Sequence, residues 1–267
     1  MEFHQYSPHP RLAGHVECYW HLRTGPCAGT PPERVLPDGC MELILNLRTP
    51  FCQADQAGCY QRQPTAFLVG QITRFVLLRA TAEAEVLAVR FKPGGAHALF
   101  GIDMHELTDR CVPLDQIGSP WMDLSARVGG CKTIAAALRE IESTLGQRLA
   151  VSSTHGRRIN AVLGILREAE SPARISIVAR EVGVSPRQLE RTFLREVGVG
   201  PKHFARLLRF RRMLTAMDGR DTHWADLAAR TGYSDQPHLV REFREFAGLA
   251  PREFLANRTP FASALIG

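Results

Sequence analysis

The stretch GYSDQPHLVREFREFAG, residues 232–248, sets Leu239 and Phe243 one helical turn apart and places Arg241 between them. Advancing each residue by about 100° around a helix axis puts Leu239 and Phe243 on one stripe and Arg241 away from it. The apolar pair anchors the helix and the guanidinium is held outward. The same design occurs earlier in the chain. VAREVGVSPRQLERTFLREVGVGPKHF (178–204) can be laid on LAARTGYSDQPHLVREFREFAGLAPREF (227–254) so that Ala179 meets Ala228, Gly183 meets Gly232 and Ser185 meets Ser234. After one extra residue in the second turn, Leu189 meets Leu239, Arg191 meets Arg241, Phe193 meets Phe243, Gly198 meets Gly248 and Pro201 meets Pro251. Self-similarity at a nearly fixed offset marks a duplicated structural unit.

Each unit reads as helix, glycine-containing turn and capped helix, the helix-turn-helix order in which the second helix can enter a DNA major groove. Ser185-Pro186 has the cap-then-proline order of a helix start. In the first unit Arg187, Arg191 and Arg195 form a ridge opposite Leu189, Phe193 and Val197, and in the second Arg241 is flanked by Pro237 and His238. A rigidly held guanidinium can donate two hydrogen bonds to a guanine edge or grip a phosphate. The alternative is an ion pair within the protein, with Glu242, Glu245 or Glu190 as partner of Arg241. Between the units, PKHFARLLRFRRMLTAM predicts a joining helix over about 201–217 with Phe204, Leu207, Leu208 and Leu214 inward. Its Arg209, Arg211 and Arg212 are read either as phosphate contacts or as solubilising charges.

Charge separates the chain in the same way. Residues 1–150 carry 14 Lys+Arg against 15 Asp+Glu, and residues 151–267 carry 19 against 12, so the whole excess of +6 sits in the second part. A basic part fused to a near-neutral one implies an anionic polymer as partner. The start, MEFHQYSPHPRL, lacks a basic segment leading into an apolar run, and no apolar run approaches the roughly 18 residues that span a bilayer. The expectation is a cytoplasmic protein without a membrane partner. All seven cysteines lie in the first part, and their odd number argues for reduced thiols.

From residue 33 to about 92, short runs such as MELILNL, AFLVG, FVLLRA and EVLAVRF alternate with turn signals and predict a mostly-β domain. Beyond Gly101 the spacing becomes helical, most clearly in TIAAALREIESTL (133–145). VSSTHG (151–156) has the composition of a linker, giving an expected domain at 1–150 and a second at 155–260. Pro37-Asp38-Gly39 and Pro93-Gly94-Gly95 read as turns. Arg90 and Lys92 alternate with Val89 and Phe91, so they face either an acidic ligand inside the domain or solvent. Cys40 reads as a buried small side chain. The early His4, His9, His15, Cys18, His21 and Cys27 fit no common zinc spacing, so neither metal nor cofactor is expected. No triad, phosphate loop or carboxylate pair suggests catalysis.

The paired units, with ISIVAREVGVSPRQLERTF and WADLAARTGYSDQPHLVREFREFAGLAP, resemble the DNA-binding domain of AraC/XylS-type bacterial transcription regulators over roughly 155–256. The resemblance implies two helix-turn-helix units that read adjacent major-groove segments. It places Arg187, Gln188, Glu190, Arg191 and Arg195 of the first unit, and Gln236, His238, Arg241 and Arg244 of the second, at the DNA face; Val240 is apolar where polar contacts are often found. ERVLPDGCMELILNL, VRFKPGGAHALFG and ELTDRCVPL resemble an uncharacterised N-terminal domain of the same family. In better-known relatives that region is a cupin-like β-barrel for effector binding or dimerisation. The implied fold is thus α+β in two domains, a mostly-β cupin-like one and an all-α one whose two helix-turn-helix units are joined by a long helix. The implied function is non-enzymatic regulation of transcription, with double-stranded DNA, a small effector, RNA polymerase and a second copy of the chain as partners. The competing expectation is a cysteine alkyl acceptor for damaged DNA fused to the same units. That chemistry needs a four-cysteine metal cluster, which the spacings between Cys18, Cys27, Cys40, Cys52 and Cys59 do not supply.

Overall fold

The computed structural model describes residues 1–25, 31–55, 57–149, 156–168, 174–217 and 223–257, with the side chains of 156 and 157 left aside; the expected linker falls mostly outside these residues. Ten strands come first: β1 (Glu2–Tyr6), β2 (Val16–Arg23), β3 (Glu33–Val35), β4 (Met41–Asn46), β5 (Cys52–Ala54), β6 (Tyr60–Arg62), β7 (Ala66–Val69), β8 (Val76–Arg79), β9 (Glu85–Phe91) and β10 (Cys111–Pro113). They form a six-stranded antiparallel sheet, β1-β2-β9-β4-β7-β10, and a four-stranded one, β3-β8-β5-β6. The expected β region from residue 33 is present, and the β1–β2 hairpin extends it toward the chain start. That hairpin holds the early histidines: His4 pairs across from His21, the rings 6.4 Å apart.

Alternation along the central strands decides what each face covers. Leu87, Val89 and Phe91 of β9, with Leu43 and Leu45 of β4, enter a core shared with α1 (Gly95–Phe100), α2 (Leu114–Ile117), α3 (Leu124–Gly129) and α4 (Ile134–Leu149). The opposite face, with Val86, Ala88, Ile44, Trp20 and Phe67, looks toward the second sheet. Between the sheets lies an open cavity of about 910 Å³. A mostly-β domain with a cavity between its sheets matches the cupin-like expectation.

The helical part begins with α5 (Gly156–Glu168), followed by α6 (Ile175–Glu181) and α7 (Pro186–Val197), then the joining helix α8 (Pro201–Thr215), and α9 (Trp224–Arg230), α10 (Gln236–Ala247) and α11 (Pro251–Ala256). One core gathers Leu189, Phe193 and Val197 of α7 with Ile159 and Val162 of α5 and Val178 of α6. A second gathers Leu239, Phe243 and Phe246 of α10 with Trp224 and Leu227 of α9. Helix α8 serves both, since Phe204 enters the first and Leu207, Phe210, Met213 and Leu214 the second.

The two domains are packed against each other. Leu36 of the β domain joins the core of the second helical unit. Both glycine turns read from the sequence lie on this seam. Gly39 has φ +83°, and a Cβ there would meet the Phe204 ring at 3.0 Å; Gly94 has φ +82° and faces Ile159 at 3.3 Å. Phe204 is fully buried against both Gly39 and Phe193. Phe204→Ala should cost about 3–5 kcal/mol, read as a lower denaturant midpoint. It should also expose the seam, so limited proteolysis at native conditions should accelerate more than for a variant of equal stability altered inside α4.

Candidate nucleic-acid interface

Helices α7 and α10 are the two recognition-helix candidates, and local chemistry starts and stops each in parallel ways. Ser185 caps α7, its hydroxyl accepting from Gln188 N at 3.2 Å, with Pro186 in the first turn. At α10 the extra turn residue moves this role from Ser234, the sequence match of Ser185, to Asp235, whose carboxylate accepts from His238 N at 2.6 Å. Ser234 instead bonds the His238 ring, its hydroxyl 3.0 Å from Nδ1. The matched Gly198 and Gly248 end the helices with φ +95° and +72°, a left-handed conformation in which a side chain would be strained.

Between these ends, Arg187, Gln188, Glu190 and Arg191 on α7 and Gln236, Arg241 and Arg244 on α10 are exposed. Arg191 and Arg241 belong to no ion pair among the described residues. Other members of the expected set are engaged. Arg195, on the ridge expected with Arg187 and Arg191, is paired to Glu196 at 2.8 Å with its side chain 42 % exposed. Glu190 folds over the start of α8, so that a Cβ on Gly200 would come within 2.3 Å of its carboxylate. His238 is half-buried with its ring edge on Tyr233 at 5.3 Å, and Val240 is half-buried as well.

Glu242 and Glu245, alternative partners for Arg241, turn instead to α8. Arg209 grips Glu242 through two nitrogens at 2.6 and 3.1 Å, and Arg206 reaches Glu242 at 2.9 Å and Glu245 as well. Arg209 is only 8 % exposed and lies over the Tyr233 ring at 4.6 Å. Its reading as a phosphate contact or a surface charge is therefore overturned: on α8 it faces the same way as Leu207 and Phe210. Arg211 is half-exposed, 3.9 Å from Glu17 of the β domain. Burial works to raise the Glu242 carboxyl, but the hydrogen bonds of Arg209 and Arg206 outweigh it and hold the group below its ordinary range. A carboxyl that titrates lower when folded stabilises fully above the unfolded range and loses that contribution as pH falls through its folded value.

The β domain holds the far ends of both helices. The Thr108 hydroxyl donates to Gly198 O at 2.6 Å, closing α7. At α10, Phe75 N donates to Phe246 O at 2.8 Å and Arg34 Nη1 to Ala247 O at 2.8 Å, while Arg34 also lies over the Phe75 ring at 4.1 Å. At α10 these donors satisfy carbonyls that a helix end leaves without partners, while Thr108 holds the glycine that follows the last residue of α7. Two of the three, Phe75 and Thr108, come from adjoining segments. Gln71 O accepts from Asp109 N at 2.8 Å, and the Asp109 carboxylate accepts from Thr73 N and its hydroxyl at 2.7 Å each. Gln71 also donates to Gly39 O at 2.8 Å. Residues 72–78 of the same stretch form one wall of the cavity.

Arg90, which the alternation left facing either inward or outward, is inward and 6 % exposed, but it meets the chain's own carboxylates rather than standing free. It bonds Asp38 and Glu42, the latter at 3.0 Å, with Glu17 at 3.8 Å. Lys92 is exposed and donates to Ala13 O at 2.6 Å. Cys40 is buried, and its thiol titrates well above the ordinary value because burial disfavours the thiolate. Cys18 and Cys111 are pushed up to about 11 by the same cause. Among the described residues no group of three or more His, Cys, Asp or Glu stands together to hold a metal, and no helix is long and apolar enough to cross a membrane.

Two helix-turn-helix units thus stand in tandem, with parallel caps and exposed arginines at matched positions. Comparison with known proteins agrees: residues 178–257 match a family described as a helix-turn-helix domain, and residues 4–113 match a domain of unknown function (DUF6597). The HTH-type transcriptional regulator ArgR of Pseudomonas aeruginosa is 30% identical over 103 residues, which is 39% of this chain and 31% of that protein. The chain thus spans under a third of the length of that relative. A solved transcriptional regulator of Chromobacterium violaceum, described as containing an AraC-type DNA-binding domain, is 27% identical with a TM-score of 0.35, covering 39% of this chain and 93% of that one. ToxT of Vibrio cholerae overlays with a TM-score of 0.48 at 9% identity, covering 97% of this chain and 98% of that one. Residues 178–257 thus carry a helix-turn-helix domain similar in sequence to that of these regulators.

Glu242→Ala strands the buried Arg209 guanidinium and leaves the half-buried Arg206 with Glu245 alone, and should cost about 3–5 kcal/mol, read in urea denaturation at neutral pH. Repeating the measurement below the carboxylate range should shrink the gap between the two proteins. Gly248→Ala places a methyl 2.1 Å from the Phe75 ring in a strained backbone. It should release α10 from the β domain, seen as faster amide exchange at residues 246–248 with less change at 197–199.

Proposed function

We propose that this protein is a sequence-specific, non-enzymatic transcription regulator that reads two adjacent major-groove segments, under the influence of a small effector held in the β domain. The observation that carries the reading is the recurrence of one arrangement: an unpaired, exposed arginine, Arg191 and again Arg241, opposite a Leu/Phe anchor on each recognition helix. Intraprotein pairing would be the ordinary fate of such an arginine, and Glu242 and Glu245 beside Arg241 are held by α8 instead. Arg187, Gln188, Glu190, Gln236 and Arg244 extend the exposed surface on either side, whereas Arg195 is paired to Glu196 and the His238 ring packs on Tyr233. Single helices read a few base pairs each, so two units give the footprint that a promoter site needs.

Influence of an effector follows from the wall that the cavity shares with the helix-holding segment 71–75. A molecule that moves Phe75 moves the partner of Phe246 O, and with it the end of α10. The alkyl-acceptor reading requires a reactive thiolate, and the raised thiols of Cys18, Cys40 and Cys111 oppose it. Zinc content by elemental analysis separates the two: a stoichiometric zinc would favour the acceptor.

Selection of bound sequences from a random duplex pool should return a two-part motif with its halves about one helical turn apart. Arg191→Ala and Arg241→Ala should each weaken the selected site by about 1–3 kcal/mol and relax base preference in one half of it, measured by competitive gel shift. Equal loss on random DNA would instead mark these arginines as phosphate contacts.

A further inference from the structure

The cavity between the sheets has an uneven chemistry. Its walls are mostly apolar, with Trp20, Ile44, Phe51, Phe67 and Val86 prominent. Two polar groups on β4 break that surface. Residues 42, 44 and 46 share one face of the strand, and all three line the cavity. Glu42 stands at one end and Asn46 at the other, with Cα atoms roughly 13 Å apart for a strand rising about 3.3 Å per residue.

Both groups offer hydrogen-bond acceptors. Asn46 is 5 % exposed, and its Nδ2 donates to Pro64 O at 2.9 Å, which fixes the orientation of the amide. Its Oδ1 is buried without a partner. A buried acceptor left empty is unusual in a folded protein and marks a place for a donor. Glu42 Oε1 accepts from Trp20 Nε1 at 3.1 Å and from Arg90 at 3.0 Å, and its second oxygen has no hydrogen bond among the described residues. Arg90 is shared among Glu42, Asp38 and Glu17, so three carboxylates surround one buried cation, with Arg211 reaching only Glu17, at 3.9 Å. Burial raises the Glu42 carboxyl above its ordinary range, against the pull of Arg90, and a further cation placed beside it would favour its charged form.

We propose that the cavity binds an elongated, mostly apolar amine whose ammonium donates to Glu42 and whose far end donates a hydrogen bond to Asn46 Oδ1. The apolar middle lies along Ile44 between Trp20 and Phe67. At these two positions a carboxylate is disfavoured, because both present acceptors; the cations of the lining, Arg74 and Arg110, lie on other segments. This rests on the reading of the cavity as the effector site and names the chemistry that the site takes. Glu42 also borders the small pocket at the domain seam, beside Asp38, Arg90 and Arg211. An ammonium there competes for the carboxylate that Arg90 uses, so binding reaches the Asp38–Gly39 turn pressed on Phe204.

The test uses the full chain without DNA, by isothermal titration with four probes of one length: 8-amino-1-octanol, octylamine, 1-octanol and octanoate. The expected order of affinity is amino-octanol, then octylamine, then octanol, with about a tenfold step where a charged hydrogen bond is lost and no binding of octanoate. Glu42→Gln keeps an oxygen for Trp20 and Arg90, and should abolish the advantage of octylamine over octanol. Asn46→Leu should abolish the advantage of amino-octanol over octylamine. Octanoate or octanol binding as tightly as the amines would leave the cavity a ligand site and overturn the amine assignment. Silence from all four probes would overturn both the assignment and the cavity's role, while the DNA-selection result stands apart from either.

Discussion

The arrangement of this protein depends on who satisfies the last carbonyls of the two recognition helices. An α-helix leaves its final C=O groups without intrahelical donors. At α10 the donors are Phe75 N and the Arg34 guanidinium, and at α7 the Thr108 hydroxyl holds the carbonyl of the capping Gly198. All three belong to the β domain. Losing such a bond in a buried place costs about 1–3 kcal/mol, more than the bond contributes while it is made. The β domain is thus a shared base for α7 and α10, and its turn around Gln71 and Asp109 fixes how the two attachment points lie relative to each other.

Buried charge does the equivalent work from the other side. Glu242 ties α10 to α8 through Arg209 and Arg206, and Arg90 ties β9 to β4 and to the Asp38 turn. Such pairs give little net stability against an apolar replacement, yet they are unforgiving when one member is removed. Their effect is to select one orientation. Helix α8 packs into both helical cores while its arginines fix α10, so the second unit has little freedom to rotate about the joining helix.

Much of the reader was legible in the sequence because the repeat is local: caps, anchors and glycine stops are set by neighbours within a few residues. The displaced cap was also visible, since the extra turn residue leaves Asp235 three positions before His238. Glu242 could have been read too. Positions 239, 242, 243 and 246 form one inward stripe, so a glutamate at 242 demands a buried cation, and the joining helix is where arginines abound. What the sequence withheld was long-range. Gly39 against Phe204, Phe75 against Gly248 and Thr108 against Gly198 are each set by tertiary docking, and nothing in the intervening residues announces the pairing. The β1–β2 hairpin escaped because EFHQY is mostly polar and its pairing is supplied by β2, not by its own pattern.

The internal use of Arg206 and Arg209 has a further consequence. Binding to a duplex releases condensed counterions in proportion to the phosphates neutralised, with a logarithmic salt slope near 0.9 per contact. Arginines committed to Glu242 displace none of these ions. The ionic-strength sensitivity of this chain is therefore set by its exposed cations, and is shallower than the formal excess of positive charge in its second part would suggest.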